Sequence, residues 1–219
     1  MQAFVVRVWV PDRPGALGQI ASRIGAVRGD VIGIEILERG AGRAIDELVV
    51  ALPEADLLTL LATEIGQVDG VKVEDIRPVS GERHDPAIGP LEIATRLAEA
   101  GDALAQVLVD DLSVEFDADW VIVLQPGPPV LRLAGRGDAP STPWLAAFVE
   151  GARHLSAAAA DGAPDDIAWA PLGGDGTAVV LGRKGRPMRW RERRQLTELG
   201  RLVAALGARQ GSALRHPVS

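Results

Sequence analysis

The feature that most constrains the fold is a change of hydrophobic period within residues 10–21, VPDRPGALGQIA. Before this segment, apolar residues alternate with the period of two that is typical of a β-strand: Phe4, Val6, Val8 and Val10. After it, apolar residues recur at helical spacing on one face: Leu17, Ile20, Ala21, Ile24 and Val27. The Asp-Arg-Pro-Gly sequence between them is therefore a strand-to-helix turn, with Pro14 and Gly15 in the first helical turn.

The residues up to 80 continue this pattern with four more elements. Isoleucines alternate along a second strand at 32–36, and the glycines of RGAGR at 39–43 supply a hairpin turn before a third strand at 45–50. A second helix has a leucine-rich face, and Asp69-Gly70 precedes a last strand at 71–79. The order βαββαβ predicts the split ferredoxin-like arrangement, in which one antiparallel sheet has both helices on one face.

A segment rich in proline and glycine, PVSGERHDPAIGP, separates this half from the rest of the chain. It predicts a first domain at 1–80, a linker at 81–90 and a second domain at 91–219. The second half begins with a long helical pattern from Ile93 to Leu112. The patterns that follow are strand-like at 120–124, 130–133, 167–172 and 177–182, and helical at 144–150 and 191–210. The second domain is therefore predicted to be α+β with an antiparallel sheet.

Composition limits the class of protein. A hydrophobic fraction of 47% over 219 residues is ample for a buried core, whereas no apolar run approaches the ~20 residues that a membrane-spanning helix needs. The absence of cysteine excludes disulfides and thiolate chemistry, and Met1 leads directly into a strand pattern without a secretory signal. A net charge of −7 argues against general nucleic-acid binding. We therefore expect a cytoplasmic protein that contacts no membrane.

The first half resembles an ACT domain, the small ligand-binding module attached to many enzymes and regulators of amino-acid metabolism. The resemblance rests on DRPGALGQIA after the first strand, on GDVIGIEI at the second strand, and on the βαββαβ order, and it covers about a third of the chain. The second half is similar, more weakly, to a GAF domain through APLGGDGTAVVLGRKGRP and the amphipathic helix that follows it. No ligand residue carries over for the GAF-like half.

The turn has the chemistry of an anion site. Gly15 has no side chain to obstruct a ligand, and the N–H groups of Gly15, Ala16 and Leu17 at a helix start attract a carboxylate. The resemblance implies that this loop and the start of the second strand, often from a neighbouring subunit, enclose a free amino acid. The residues implied are Asp12, Arg13, Pro14, Gly15, Ala16 and Leu17 in the loop and Asp30, Val31 and Ile32 in the strand.

Two observations leave alternatives open at this site. Many ACT domains have Asn where this chain has Asp30, and an Asp would pair with a ligand's ammonium group but repel its carboxylate. Asp12 also has an alternative role as a simple helix cap, in a domain that binds nothing and serves for assembly.

Other candidate motifs have simpler structural interpretations. Asp175-Gly176 in the glycine cluster PLGGDGTAVV predicts a hairpin turn, because a strand follows where a phosphate loop would need a helix. The acidic residues of DDLSVEFDAD at 110–119 suggest a divalent cation, or the polar end of a helix. The arginine-rich run at 183–194 suggests an acidic or nucleic-acid partner, or a face paired within the fold. His84, His154 and His216 lack metal-ligand spacing.

No nucleophile elbow or catalytic pair of acids is present, so the sequence predicts no enzyme, no cofactor and no metal site. It predicts instead a regulatory protein that binds a small metabolite, an amino acid, and signals by domain or subunit rearrangement. The alternative is a structural assembly module, or an accessory subunit of a separate enzyme, with no ligand of its own. A homodimer is expected because an ACT sheet leaves one edge unpaired and one face without helices. Trp9 lies on that face, where it would pack against a partner subunit or against the second half of the chain.

Overall fold

A computed structural model describes residues 1–79, 88–153 and 164–209. The chain divides into two compact units, Met1–Arg83 and His84–Ser219. Residues 81–87 of the predicted linker, and the three histidines, lie outside the described residues. Among the helices that the structure describes, none is long and apolar enough to span a bilayer.

The first unit contains one antiparallel sheet and two helices, in the predicted order. The elements are β1 (Gln2–Pro11), α1 (Ala16–Ala26), β2 (Asp30–Gly40), β3 (Arg43–Leu52), α2 (Leu58–Gly66) and β4 (Lys72–Pro78). The strand order in the sheet is β2-β3-β1-β4, with β1 paired to both β3 and β4. This topology is ferredoxin-like, as the βαββαβ pattern predicts.

The core of this unit lies between the sheet and the two helices. Alternate residues of β1, among them Val6 and Val8, face the helices and pack with Leu48 and Val50 of β3. Ile20 and Ile24 of α1, with Leu61 and Ile65 of α2, cover them from the helix side. The period-two and helical patterns of the sequence therefore meet in one core.

The opposite face of the sheet contains buried charges. Arg7 of β1 is 1% exposed, and its guanidinium lies 2.8 Å from Oε1 of Glu47 on β3. Arg77 of β4 contacts the same Glu47 oxygen at 2.9 Å, and Trp9 donates its indole N–H to Glu74 at 3.1 Å. This face therefore contains charged groups besides its apolar residues, and the chain supplies the ionic partners that buried charges need. Its use as an interface stays a prediction.

The second unit contains an antiparallel sheet with helices packed against both faces. Its elements are α3 (Gly89–Glu99), α4 (Leu104–Glu115), β5 (Trp120–Gln125), β6 (Leu131–Arg136), α5 (Thr142–Arg153), β7 (Ile167–Pro171), β8 (Ala178–Gly182) and α6 (Trp190–Arg209). The strand order is β6-β5-β8-β7. Val121 and Val179 face a core that contains residues of α3, α4 and α6, whereas Ile122 and Val180 face residues of α5. The α+β class with an antiparallel sheet is confirmed.

The long helical pattern at the start of this unit differs from the sequence prediction in its course and in its first residue. The long helical pattern from Ile93 to Leu112 forms two helices, because the chain turns through Gly101, whose φ of +53° lies in the left-handed region. Helix α3 begins at Gly89, so the last two residues of the predicted linker belong to its first turn, where Pro90 loses no hydrogen bond.

Candidate functional site

Backbone hydrogen bonds hold the turn between β1 and α1. The N–H of Asp12 donates to the carbonyl of Gly42 in the β2–β3 turn at 3.0 Å. The N–H of Arg13 donates to the carbonyl of Pro11 at 2.8 Å, and that of Ala16 to the carbonyl of Arg13 at 3.3 Å. The loop is thus attached to the β2–β3 hairpin on one side and to the helix start on the other.

Helix α1 begins later than the sequence predicts. Gly15 is its N-cap residue, with a φ of +86° in the left-handed region, so Pro14 and Gly15 precede the helix instead of forming its first turn. No side chain caps the helix by hydrogen bonding, which contradicts the alternative role of Asp12 as a cap. Glycine is needed here for its backbone conformation, since L side chains are strained at such a φ.

A cavity of about 320 Å³ opens beside this turn. Ligand pockets for small molecules start at roughly this size, about 300 Å³. Its lining comprises the six predicted loop residues, 12–17, together with Val10, Pro11, Arg39, Ala44 and Asp46. The cavity therefore lies at the loop that the sequence singles out, and it lies wholly within the first unit.

The cavity has an exposed rim and a buried floor. Residues 12–15 and Arg39 form the exposed part of the lining. Val10, Ala16, Ala44 and Asp46 form the buried part, and only Asp46 among them is polar. A ligand in this cavity would thus meet one carboxylate at its deeper end.

Asp46 is held in an unfavourable environment. It is 2% exposed, and its Oδ1 has no hydrogen-bond partner in the part of the chain that the structure describes. Burial raises the pKa of this carboxyl, the positive charge of Arg39 opposes that rise, and the negative charge of Asp12 adds to it. Oδ1 of this carboxylate thus lacks the hydrogen bond that would normally compensate its burial.

The predicted strand residues lie elsewhere in the same chain. Asp30 pairs with Ala51 and Val31 with Val50, whereas Arg39 at the cavity pairs with Ala44. At about 3.3 Å per residue, Asp30 is roughly 30 Å along β2 from Arg39. One chain therefore brings together residues 12–17 but not Asp30, Val31 and Ile32, which could join a site of this kind only from a second subunit.

Asp46 and Arg39 are the charged lining residues that the sequence interpretation missed. A signal for Asp46 is present, because Ala44, Asp46, Leu48 and Val50 alternate along β3 and all four are buried. A carboxylate at a core-facing position of a strand is uncommon unless it is paired or functional.

The other candidate motifs are bonded within the second unit. Asp111 contacts Arg96 at 3.0 Å, Asp117 pairs with Arg186, and Asp119 accepts the backbone N–H of Lys184 at 2.7 Å. Buried Arg183 donates to the carbonyl of Phe116 at 2.9 Å, among other acceptors. These contacts agree with the interpretation of the acidic and basic runs as parts of the fold.

Within residues 1–79, 88–153 and 164–209, no three acidic, histidine or cysteine side chains are grouped as metal ligands. Asp175 lies in the turn between β7 and β8, where its Oδ1 accepts the Thr177 N–H at 3.0 Å and Gly176 has a φ of +87°. This is the hairpin turn that the glycine cluster predicts.

No protein-family model matches the chain, and no curated protein matches it. Solved structures do match, and ACT domains among them align with the N-terminal region, in agreement with the resemblance of the first half. The ACT domain from GTP pyrophosphokinase of Chlorobium tepidum is 21% identical over 35% of this chain and 96% of its own, with a TM-score of 0.29. The ACT domain protein from Streptococcus pneumoniae is 20% identical over 36% of this chain and 90% of its own, with a TM-score of 0.31.

A formyltetrahydrofolate deformylase from Pseudomonas putida is also similar, at 16% identity over 43% of this chain and 37% of its own, with a TM-score of 0.27. At such identities these likenesses concern the fold alone. The ACT matches cover about a third of the chain, so the GAF-like assignment of the second half stays a prediction.

Proposed function

We propose that this protein is a non-enzymatic regulator that binds a small metabolite, a free amino acid, in the cavity of its first unit. Binding would then be signalled by a rearrangement of domains or subunits. The observation that carries this proposal is the cavity of about 320 Å³ at the start of α1, lined by the six loop residues Asp12 to Leu17.

The cavity suits a small charged ligand for physical reasons. The first N–H groups of an α-helix lack intrahelical acceptors, and the helix dipole adds positive potential there. The start of α1 lies in the lining, so a carboxylate bound there would gain the dipole contribution and the N–H groups of the first turn other than that of Ala16, which already donates to the Arg13 carbonyl. The rim is exposed, so a ligand can enter without an opening of the fold.

A thermal-shift screen of the full chain against the twenty amino acids tests this proposal. A ligand that binds only the native state raises Tm, by about 2.7 kcal/mol of stabilisation at one hundred times its Kd. We expect at least one amino acid to raise Tm in a dose-dependent manner. If none does so at millimolar concentration, the proposal fails.

A second candidate, an assembly module or an accessory subunit of a separate enzyme, is favoured by the edge strand β2. On this strand, Ile32 and Ile34 are 57% and 52% exposed. One edge of β2 pairs with β3, and its other edge pairs with no strand among the described residues. An exposed apolar edge strand is a template for pairing with another chain. In this case the chain would self-associate or capture a partner, and no amino acid would change its Tm.

A further inference from the structure

The floor of the cavity contains a carboxylate, Asp46, that has an oxygen without a hydrogen-bond partner among the described residues. Asp46 lies on β3 between Val8 of β1 and Ile36 of β2 in the paired strands. It is 2% exposed, and its Oδ1 makes no hydrogen bond in the described residues. A buried carboxylate of this kind destabilises a fold unless something else binds it, so the position calls for a partner from outside the chain.

The charges around the cavity differ between floor and rim. Arg13 and Arg39 line the exposed side beside Asp12, and the start of α1 also lies in the lining; the two guanidinium groups and the helix start attract an anion. Asp46, at the floor, attracts a cation and repels an anion. A simple carboxylic acid would leave Asp46 without a partner, and a simple amine would leave the helix start without one. A molecule with an ammonium group close to a carboxylate satisfies both.

A metal ion is a poorer match than an ammonium group. Asp12 and Asp46 are the carboxylates of the lining, and no group of three candidate ligands occurs in the described part of the chain. A hard divalent cation takes six or more oxygen ligands, whereas an ammonium group needs only a few acceptors.

We propose that Asp46 binds the ammonium group of a free α-amino acid whose carboxylate lies at the start of α1, so that one chain contains the whole site. This inference rests on the proposed function and deepens it by naming the residue that selects amino acids over other carboxylates. It differs from the site expected from the sequence, in which Asp30 would bind the ammonium group from a second subunit.

Two matched variants distinguish these sites, because each removes one charge and keeps the side-chain shape. Asp46→Asn removes the floor carboxylate, and Asp30→Asn removes an exposed carboxylate at the far end of β2. Tm and calorimetric affinity are measured for the wild type and both variants with each of the twenty amino acids. Acetate, propionate and isovalerate serve as amine-free counterparts of glycine, alanine and valine, and circular dichroism verifies that each variant is folded.

We expect Asp46→Asn to weaken amino-acid binding at least tenfold, about 1.4 kcal/mol, and Asp30→Asn to leave it within about twofold. We also expect the wild type to prefer each amino acid to its amine-free counterpart, and Asp46→Asn to lose that preference. Unchanged affinity in Asp46→Asn, or a loss confined to Asp30→Asn, overturns this inference while the proposed function stands. Absence of any amino-acid binding by the wild type overturns both.

Discussion

At the scale of single residues, the turn before α1 depends on one backbone conformation. Gly15 adopts a φ of +86°, and an added Cβ there would have no heavy atom within 4 Å. The cost of a side chain at this position is therefore conformational and not steric. Gly18 lies three residues on, inside α1, and a Cβ there also has open space around it. Because neither site is crowded, alanine substitutions at Gly15 and Gly18 differ in the backbone strain that they introduce.

We expect Gly15→Ala to lower the free energy of unfolding by about 1 kcal/mol, because a left-handed φ costs an L residue roughly that amount. Gly18→Ala should raise it by about 0.5 kcal/mol, since alanine loses less backbone entropy than glycine in a helix. In a chain of this size, a change of 1 kcal/mol corresponds to a Tm shift of about 2–4 °C. Thermal unfolding of the full chain measures both, and changes of the same sign would contradict this account of Gly15.

The raised pKa of Asp46 makes the free energy of unfolding fall as pH rises. Burial raises its pKa above the ordinary value of 3.8, so the native state holds this proton at pH values where the unfolded chain has lost it. Stability therefore falls as pH rises from the ordinary pKa through the raised one, and the loss persists at neutral pH. The other charges that act on this carboxyl are those of Arg39, which opposes the rise of its pKa, and of Asp12, which adds to it.

Asp46→Asn should accordingly stabilise the protein in the absence of ligand at pH 7, by about 1 kcal/mol, because it removes a buried carboxylate that lacks a hydrogen bond. The gain in Tm over the wild type should shrink as the pH falls through the raised pKa of the wild-type carboxyl, which then becomes protonated. Melting curves between pH 4 and pH 8 measure this difference. A gain that is constant across the range would show that the charge is not its cause.

At the scale of elements, the sheet of the first unit has two different faces. The buried part of the face towards α1 and α2 is apolar, with Asp46 at the cavity as its buried charged residue in the part of the chain that the structure describes. The other face joins β1, β3 and β4 through Arg7, Glu47 and Arg77. Glu47 accepts from two guanidinium groups, so one carboxylate ties three strands together.

We expect Glu47→Gln to destabilise the protein by about 3 kcal/mol, because it removes an anionic charge 2.8 Å from the buried guanidinium of Arg7. Glu198→Gln is the matched control. Its partner Arg201 lies at 3.0 Å on α6, and the side chains are 54% and 72% exposed, so the change should stay within about 0.5 kcal/mol. Chemical denaturation of both variants checks this, and equal effects would count against a structural role for the buried network.

At the scale of the whole molecule, the edge strand β2 is the feature that bears on assembly. Trp9, which the sequence suggested as an interface residue, already donates its indole N–H to Glu74 within the chain. The exposed apolar side chains of this unit include Ile32 and Ile34 on β2 and Leu60 on α2. An interface through β2 would continue the sheet into a second copy and use backbone as well as side-chain groups.

We expect the chain to be a dimer of 23.0 kDa subunits and Ile34→Lys to convert it to the monomer, because a lysine on an edge strand opposes pairing. Leu60→Lys, which changes an exposed leucine on α2, should leave the mass unchanged. Light scattering at micromolar concentration measures the mass. A monomeric wild type, or a dimer that survives Ile34→Lys, would exclude the β2 edge as the interface.

The sequence by itself determined the element order and the position of the cavity. The order βαββαβ follows from hydrophobic periods, which are local because a strand repeats every two residues and a helix every 3.6. The turn at 12–15 follows from the chemistry of proline and glycine, also a local property, and the loop residues 12–17 do line the cavity. Local chemistry did not predict that Gly15 precedes the helix with a positive φ.

Only the tertiary structure decided which distant residues meet. Asp46 joins the loop because β3 pairs with β1, opposite Val8, and Arg39 joins it because β2 folds back on β3. The same pairing carries Asp30 to the far end of the sheet. Strand register sets these distances, and it depends on hydrogen bonds between segments far apart in sequence, so no local pattern contains it.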